Sequence, residues 1–240
     1  MPDRFGPRGT VAIIIPLQNA NMQPEYASMQ PDGINNQIYR FDISAHDDAS
    51  AAILGAVPGC LLCWPDMIIA GVSLEMHAWS HQQQADFRAA FAIQAQGTPF
   101  ALATDATETA LRTLGARRIG ILAPMSAVNS ESAQAYYEAA GFEVPRSASL
   151  EIKKSEDIIK VTVEQIQSGF AQIDHDGIDT LLHVGGALGI VGMIEELEAL
   201  FAKSVVSVNA AAYWYALRKL GINDPIPGFG QLLMEPSVMD

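Results

Sequence analysis

Strand-length apolar runs alternate with longer amphipathic stretches along almost the whole 240-residue chain, and this alternation restricts the fold more than any other feature. Val11–Ile15, Ile38–Ile43, Met67–Val72 and Pro99–Ala103 read as strands, and Thr104–Leu114 as a helix. In that helix Thr104 or Asp105 is placed to cap the start. Ala106, Ala110, Leu111 and Leu114 form one apolar face, and Gly115 falls at the C-terminal cap. The pattern then restarts with strand Arg118–Leu122, helix Ser130–Ala140 and strand Ser147–Ile152. Helix Ile158–Ile173, strand Asp179–Val184, helix Ile190–Phe201, strand Val205–Val208 and helix Ala210–Leu220 follow. Ala51–Trp64 reads as a buried connection leading to a strand. Continuous apolar strands separated by helices predict an α/β fold with parallel sheets covered on both faces. The restart after Gly115 predicts two pseudo-symmetric halves, residues 1–115 with 205–240 and residues 116–204, offering their strand ends to a shared cleft.

Open α/β sheets bind ligands at the carboxyl ends of their strands, so those ends carry the functional reading. After Val11–Ile15 the chain reads Pro16-Leu-Gln-Asn-Ala-Asn21, a loop of amides that can hold a carboxylate without a buried counter-charge, or cap its own backbone. After Met67–Val72, Ser73 is placed to cap a helix, with Glu75 in the first turn. The N–H groups of Val72 and Ser73 are suited to an oxyanion. After Asp179–Val184, Gly185-Gly186 permits close backbone approach to a ligand but lacks the spacing and the lysine of a phosphate loop. After the last strand, Asn209 stands at the start of a helix. His183 alternates with Val184, so only one of the two can face the cleft.

Composition narrows the function classes. A formal charge of −13 argues against nucleic acid and anionic membrane as partners, yet leaves room for a small anionic substrate bound by N–H groups. No run is long enough for a membrane span, and the N-terminal Met1-Pro-Asp-Arg-Phe-Gly lacks a signal-peptide core, so a cytoplasmic protein is expected. Apolar residues make up 49% of the chain, which is compatible with a homo-oligomer. Cys60 and Cys63 have redox or metal spacing, but no second cysteine pair exists and structural thiols are expected. His77 and His81 lack a third ligand, so no metal is assigned.

Three stretches carry a family resemblance: Pro16-Leu-Gln-Asn-Ala-Asn-Met-Gln-Pro-Glu25, Val205-Val-Ser-Val-Asn-Ala-Ala-Ala-Tyr-Trp-Tyr-Ala-Leu-Arg-Lys-Leu-Gly221 and Asp224-Pro-Ile-Pro-Gly-Phe-Gly-Gln-Leu-Leu233. With them the chain resembles the aspartate/glutamate racemase superfamily, in its maleate isomerase and arylmalonate decarboxylase branch. The resemblance spans nearly the whole chain. It implies two α/β halves with the active site between them, a carboxylate substrate and no cofactor. It places Asn19 and Asn209 at substrate-carboxylate contacts, Val72 and Ser73 on one anion-binding turn, and Gly185 and Gly186 on the other.

The departures matter as much. The two mirrored positions that hold the family's cysteines read Gly71 and Val184, and a family tyrosine falls at Met125. Arylmalonate decarboxylases lack the first cysteine and keep the second; this chain has neither. Thiol chemistry therefore does not carry over. Glu75 is the first choice for proton transfer, with Ser73 and His77 as further catalytic candidates; Met125, Val184, Gly185 and Gly186 join Asn19, Val72, Ser73 and Asn209 as binding candidates. Three functional readings stand. One is a cofactor-independent decarboxylase or isomerase acting on a small carboxylate with non-cysteine acid–base chemistry. The second is a hydrolase or hydratase in which Glu75 activates water. The third is a non-catalytic carboxylate binder.

Overall fold

The computed structural model describes residues 4–43 and 48–238; Met1–Asp3, in the segment read for a signal peptide, lie outside that range. Two four-stranded parallel sheets form the core. The first contains β1 (Gly9–Pro16), β2 (Ile34–Phe41), β3 (Met67–Ala70) and β4 (Phe100–Leu102), in the order β2-β1-β3-β4. The second contains β5 (Arg118–Ala123), β6 (Glu143–Ser149), β7 (Thr180–His183) and β8 (Ser204–Ser207), in the order β6-β5-β7-β8. Each sheet thus starts in the middle, adds a strand on one side, then reverses. The reversal points lie between β1 and β3 and between β5 and β7, and these are where α/β sheets open a crevice.

β1 occupies a central place because its side chains suit burial on both faces. Val11, Ile13, Ile14 and Ile15 are fully buried. Each such side chain contributes roughly 1.5–3 kcal/mol of burial free energy. Helices α1 (Met22–Ser28), α2 (Ala49–Leu61), α3 (Leu74–His77), α4 (His81–Gln94) and α5 (Ala103–Thr113) belong to the first half. Helices α6 (Ala127–Ala139), α7 (Val163–Ile173) and α8 (Ile194–Phe201) belong to the second. Then α9 (Val208–Lys219) crosses back to pack on α5, α1, β3 and β4, and α10 (Gln231–Met234) closes the described chain. Ala106 and Ala110 of α5 and Ala210–Ala212 of α9 are buried, and side chains this small let the two helices approach closely.

Several local expectations change. Ala51–Trp64 is not an irregular connection; most of it is α2, capped by the Asp48 side chain accepting from the Ser50 N–H. Its buried face, Ala52, Ile53, Ala56, Val57 and Cys60, has helical spacing, but its exposed face carries Ala51, Gly55 and Pro58 rather than polar residues, so no amphipathic period marks it as a helix. The expected helix Ile158–Ile173 is broken: a 3₁₀ turn spans Ser155–Lys160, and α7 begins after Thr162, whose side chain accepts from Gln165 N–H in a capping box. The expected boundary at 204/205 cuts through β8. That strand pairs with β7 and completes the second sheet, so the return to the first half starts at α9.

Arg218 makes three of the side-chain contacts that fasten the C-terminal segment. The buried Arg218 guanidinium donates to the carbonyls of Glu235 (2.7 Å), Ile222 (2.7 Å) and Leu233 (3.2 Å). Arg218→Leu removes one donor from each carbonyl, leaving Trp214 Nε1 on Glu235 and the Ile226 N–H on Leu233, and is expected to cost about 2–4 kcal/mol. Thermal unfolding should show a fall of roughly 5–10 °C for a chain of this size.

Candidate active site

Three strand ends converge on one small cleft. It is lined by Pro16 and Asn19 after β1, Gly71–Glu75 after β3, and Gly185–Ala187 after β7. The cavity volume is about 80 Å³. That is well below the roughly 300–1,000 Å³ of a drug-sized site, so the cleft suits a ligand of a few heavy atoms. No lysine or arginine lines it. Positive potential must therefore come from N–H groups. Among the described residues, none accepts from the N–H groups of Val72, Ser73, Gly186 or Ala187. Val72 and Ser73 are buried and Gly186 and Ala187 half-buried, and buried donors without partners are uncommon unless a ligand or water meets them.

The loop after β7 is held in place by amides. Asn19 Nδ2 donates to the Gly186 carbonyl (3.2 Å), Asn209 Nδ2 to the same carbonyl (2.9 Å), and Asn21 Nδ2 to the Ala187 carbonyl (2.7 Å). A peptide's C=O and N–H point in opposite directions. Drawing the Gly186 oxygen toward the amides thus turns the Ala187 N–H away from them. Gly185 has φ +90°, and a Cβ on Gly186 would lie 2.3 Å from Asn209 Oδ1, so both positions require glycine.

Ser73 does not cap α3. Its hydroxyl oxygen accepts the Gly185 N–H at 3.3 Å, joining the two candidate anion turns across the halves. Asn19 does more holding than its expected role requires. Its Oδ1 accepts from Asn21 and Met22 N–H, and one Nδ2 proton is used on Gly186, which leaves a single free N–H in the cleft. Asn209 is buried behind the cleft with both Nδ2 protons used, on Gly186 and on Glu25 Oε2 (2.6 Å). As placed it has no proton left for a substrate, so it positions the loop rather than contacting a ligand.

Glu75 lines the cleft, and among the described residues no cation partners it. Burial raises its carboxyl above the usual range, opposed only by its own N–H. His77 is not brought to the cleft. Two residues past Glu75 it faces another side of α3, where it meets Tyr137 Oη at 3.3 Å and packs edge-on against Tyr136. Burial lowers its pKa to about 3, so it is neutral. Val184 is fully buried and does not line the cleft. His183 is also fully buried, and burial lowers it to about 3. Met125 packs against the core outside the lining residues. A Cβ on Gly71 would lie 2.5 Å from the Ile14 carbonyl and 2.5 Å from Met22 Cε, so this backbone leaves room there only for glycine. Cys60 and Cys63 sit on and just after α2, away from the cleft, and burial pushes the Cys60 thiol up to about 12.

One group at this site was missed in the sequence. Glu25, on α1, is buried and accepts Val191 N–H at Oε1 (2.7 Å) and Asn209 at Oε2. Burial raises its pKa to about 7, partly opposed by those hydrogen bonds. An acid held above its unfolded value is more protonated in the fold, so stability falls as pH rises from about 4.5 to about 7. The expected loss through this group is roughly 3 kcal/mol. Denaturant unfolding from pH 4.5 to 8 should show that slope, and Glu25→Gln should remove it.

A model of the arylmalonate decarboxylase family matches residues 67–233. The chain belongs to the arylmalonate decarboxylase family. Sequence relatives include a maleate isomerase of Nocardia farcinica, 27% identical over 54% of this chain and 52% of the relative. A maleate isomerase of Alcaligenes faecalis is 24% identical over 51% and 49%. The matches span about half the length of these curated relatives. Among solved structures, the Nocardia farcinica maleate cis-trans isomerase bound to TRIS shares the fold at TM-score 0.84 and 20% identity, over 94% of this chain and 97% of that one. Unliganded arylmalonate decarboxylase does so at TM-score 0.80 and 21% identity, over 93% and 98%. Another structure of the Nocardia enzyme holds a covalently bound succinylcysteine intermediate. In this family member, no cysteine lines the corresponding cleft. Among the described residues, no helix is long and apolar enough to cross a membrane.

Proposed function

We propose that this chain is a cofactor-independent lyase that decarboxylates a small malonate-type dicarboxylate. The observation that carries the reading is the pairing, in one cleft, of unpartnered N–H groups with a half-buried Glu75 carboxyl that meets no cation among the described residues. A dicarboxylate bound by the N–H groups of Val72, Ser73, Gly186 and Ala187 adds negative charge near Glu75 and raises its pKa further. Glu75 then enters the reaction as a carboxylic acid. Breaking the carbon–carbon bond releases CO₂ and leaves the electron pair on the α-carbon as an enediolate. The N–H groups stabilise that charge, which exists only along the reaction path. Glu75 protonates the α-carbon, and solvent returns the proton to Glu75. Ser73 Oγ, already accepting from Gly185, is free to donate its own proton to the retained carboxylate.

Family membership and the maleate isomerase relatives support an isomerase or lyase; the absence of a thiol among the lining residues favours the lyase, which needs only anion stabilisation and a proton donor. The small cavity favours malonates with an α-substituent of one or two carbons. Incubation of ¹³C-carboxyl-labelled malonates of this kind in D₂O, followed by NMR, tests the reading. Labelled CO₂ with deuterium at the α-carbon is expected. Saturable binding without CO₂ release would reduce the protein to a binder, and no binding by any small dicarboxylate would remove the carboxylate reading altogether.

A further inference from the structure

Among the described residues, Glu25 is a carboxylate that reaches across the two halves without touching the cleft. It sits on α1, and its two oxygens accept from different halves: Oε1 from the Val191 N–H of the second half, at the start of the 3₁₀ turn Val191–Met193, and Oε2 from Asn209 on the returning helix α9. The Asn209 amide donates its other proton to the Gly186 carbonyl. A continuous chain thus runs from Glu25 through Asn209 to the turn that lines the cleft. The direction of the Asn209 amide follows from its acceptors. A group that offers only lone pairs at Oε2 keeps Nδ2 turned toward both Glu25 and Gly186.

We propose that Glu25 is a positioning residue: its ionised carboxylate orients the Asn209 amide and the Ile190–Val191 backbone, and so holds the Gly185–Ala187 turn in its ligand-ready shape. With Glu25 still buried, protonation replaces two charge-assisted hydrogen bonds by weaker ones and loosens the turn locally, even as the whole fold gains by no longer burying a charge. Burial places this titration near neutrality. Among the described residues, no cation pins the charge state. Tyr26 on the same helix and Tyr213 on α9 are the titratable groups beside it; burial pushes both upward, so they stay neutral. Arg40 of β2 turns to the Asn19 carbonyl instead, and Val191–Met193 brings no titratable side chain. The consequence for binding rests on the anion-site reading above; the clamp itself does not.

The test uses the full-length ¹⁵N-labelled protein from pH 5.5 to 8.5. In the wild type the Asn209 side-chain amide and the Val191 backbone amide should shift along one titration curve centred near 7. In Glu25→Gln that curve should vanish, because an amide does not titrate in this range, and its NH₂ must oppose either the Asn209 NH₂ or the Val191 N–H. The Leu188, Val191 and Met193 amides should then exchange at least tenfold faster. Flat Asn209 resonances in the wild type, or exchange within twofold in the variant, would overturn the clamp. If Glu25→Gln does not fold, the wild-type titration decides alone. Malonate binding separates the two claims. A tenfold weaker dissociation constant in Glu25→Gln is expected, and equal binding would sever the clamp from the cleft. A wild type that titrates as described but binds no malonate would retain the clamp and remove the anion-site reading.

Discussion

Glu75→Gln is expected to bind a small malonate nearly as well as the wild type and to lose about 10²–10⁴-fold in turnover. The isosteric amide keeps the shape of the cleft and removes only the transferable proton. Binding through the N–H groups of Val72, Ser73, Gly186 and Ala187 should survive, since none of them depends on Glu75. The pH dependence separates an acid from a base. Burial raises the Glu75 carboxyl, so its acid form persists above the ordinary carboxylate range. Turnover by a proton donor is complete below that raised pKa and is lost as pH rises through it. A water-activating base, as a hydrolase or hydratase requires, would show the opposite limb. Turnover that rises with pH, or survives in Glu75→Gln, would sink Glu75 as the proton donor.

Gly186→Ala should have the second largest effect. The added Cβ would stand 2.3 Å from Asn209 Oδ1 and 3.1 Å from its Cγ. Asn209 cannot yield without releasing Glu25, whose oxygen it holds at 2.6 Å. Overpacking of this kind costs about 1–3 kcal/mol. The larger effect should fall on function, because the Gly186 carbonyl would leave two amides and the adjoining N–H groups would turn from the cleft. Loss of tenfold or more in malonate affinity, measured by calorimetry on folded protein, is expected. Unchanged affinity would show that the turn's shape does not matter.

The architecture was legible because burial on both faces writes itself into sequence. β1 reads as an unbroken Val-Ala-Ile-Ile-Ile run, and α5 and α9 end at Gly115 and Gly221, both at positive φ. α2 was not legible, since its solvent face carries Ala51, Gly55 and Pro58 instead of a polar stripe, and Pro58 reads as a breaker. The cleft was partly legible. Strand ends named Asn19, Ser73, Glu75 and Gly185-Gly186, all of which line it or shape it. The partners were not. Whether Asn209 offers its protons to a ligand or to Glu25 and Gly186 depends on residues 184 and 23 positions away. Glu25 was visible only as the last residue of a family-like segment. Nothing local distinguishes it from a solvated acid on a short helix. His77 shows the converse: its type suggested catalysis, and its place on α3 put it against two tyrosines.

The return of α9 to the first half has a consequence for how the protein is made. The helix follows the whole second half in sequence, yet its buried face, including Tyr213 and Trp214, packs on α5, β3 and β4. A nascent chain synthesised from its N-terminus exposes that first-half surface until residues 208–219 leave the ribosome. The first half therefore cannot complete its core while the second is still being translated.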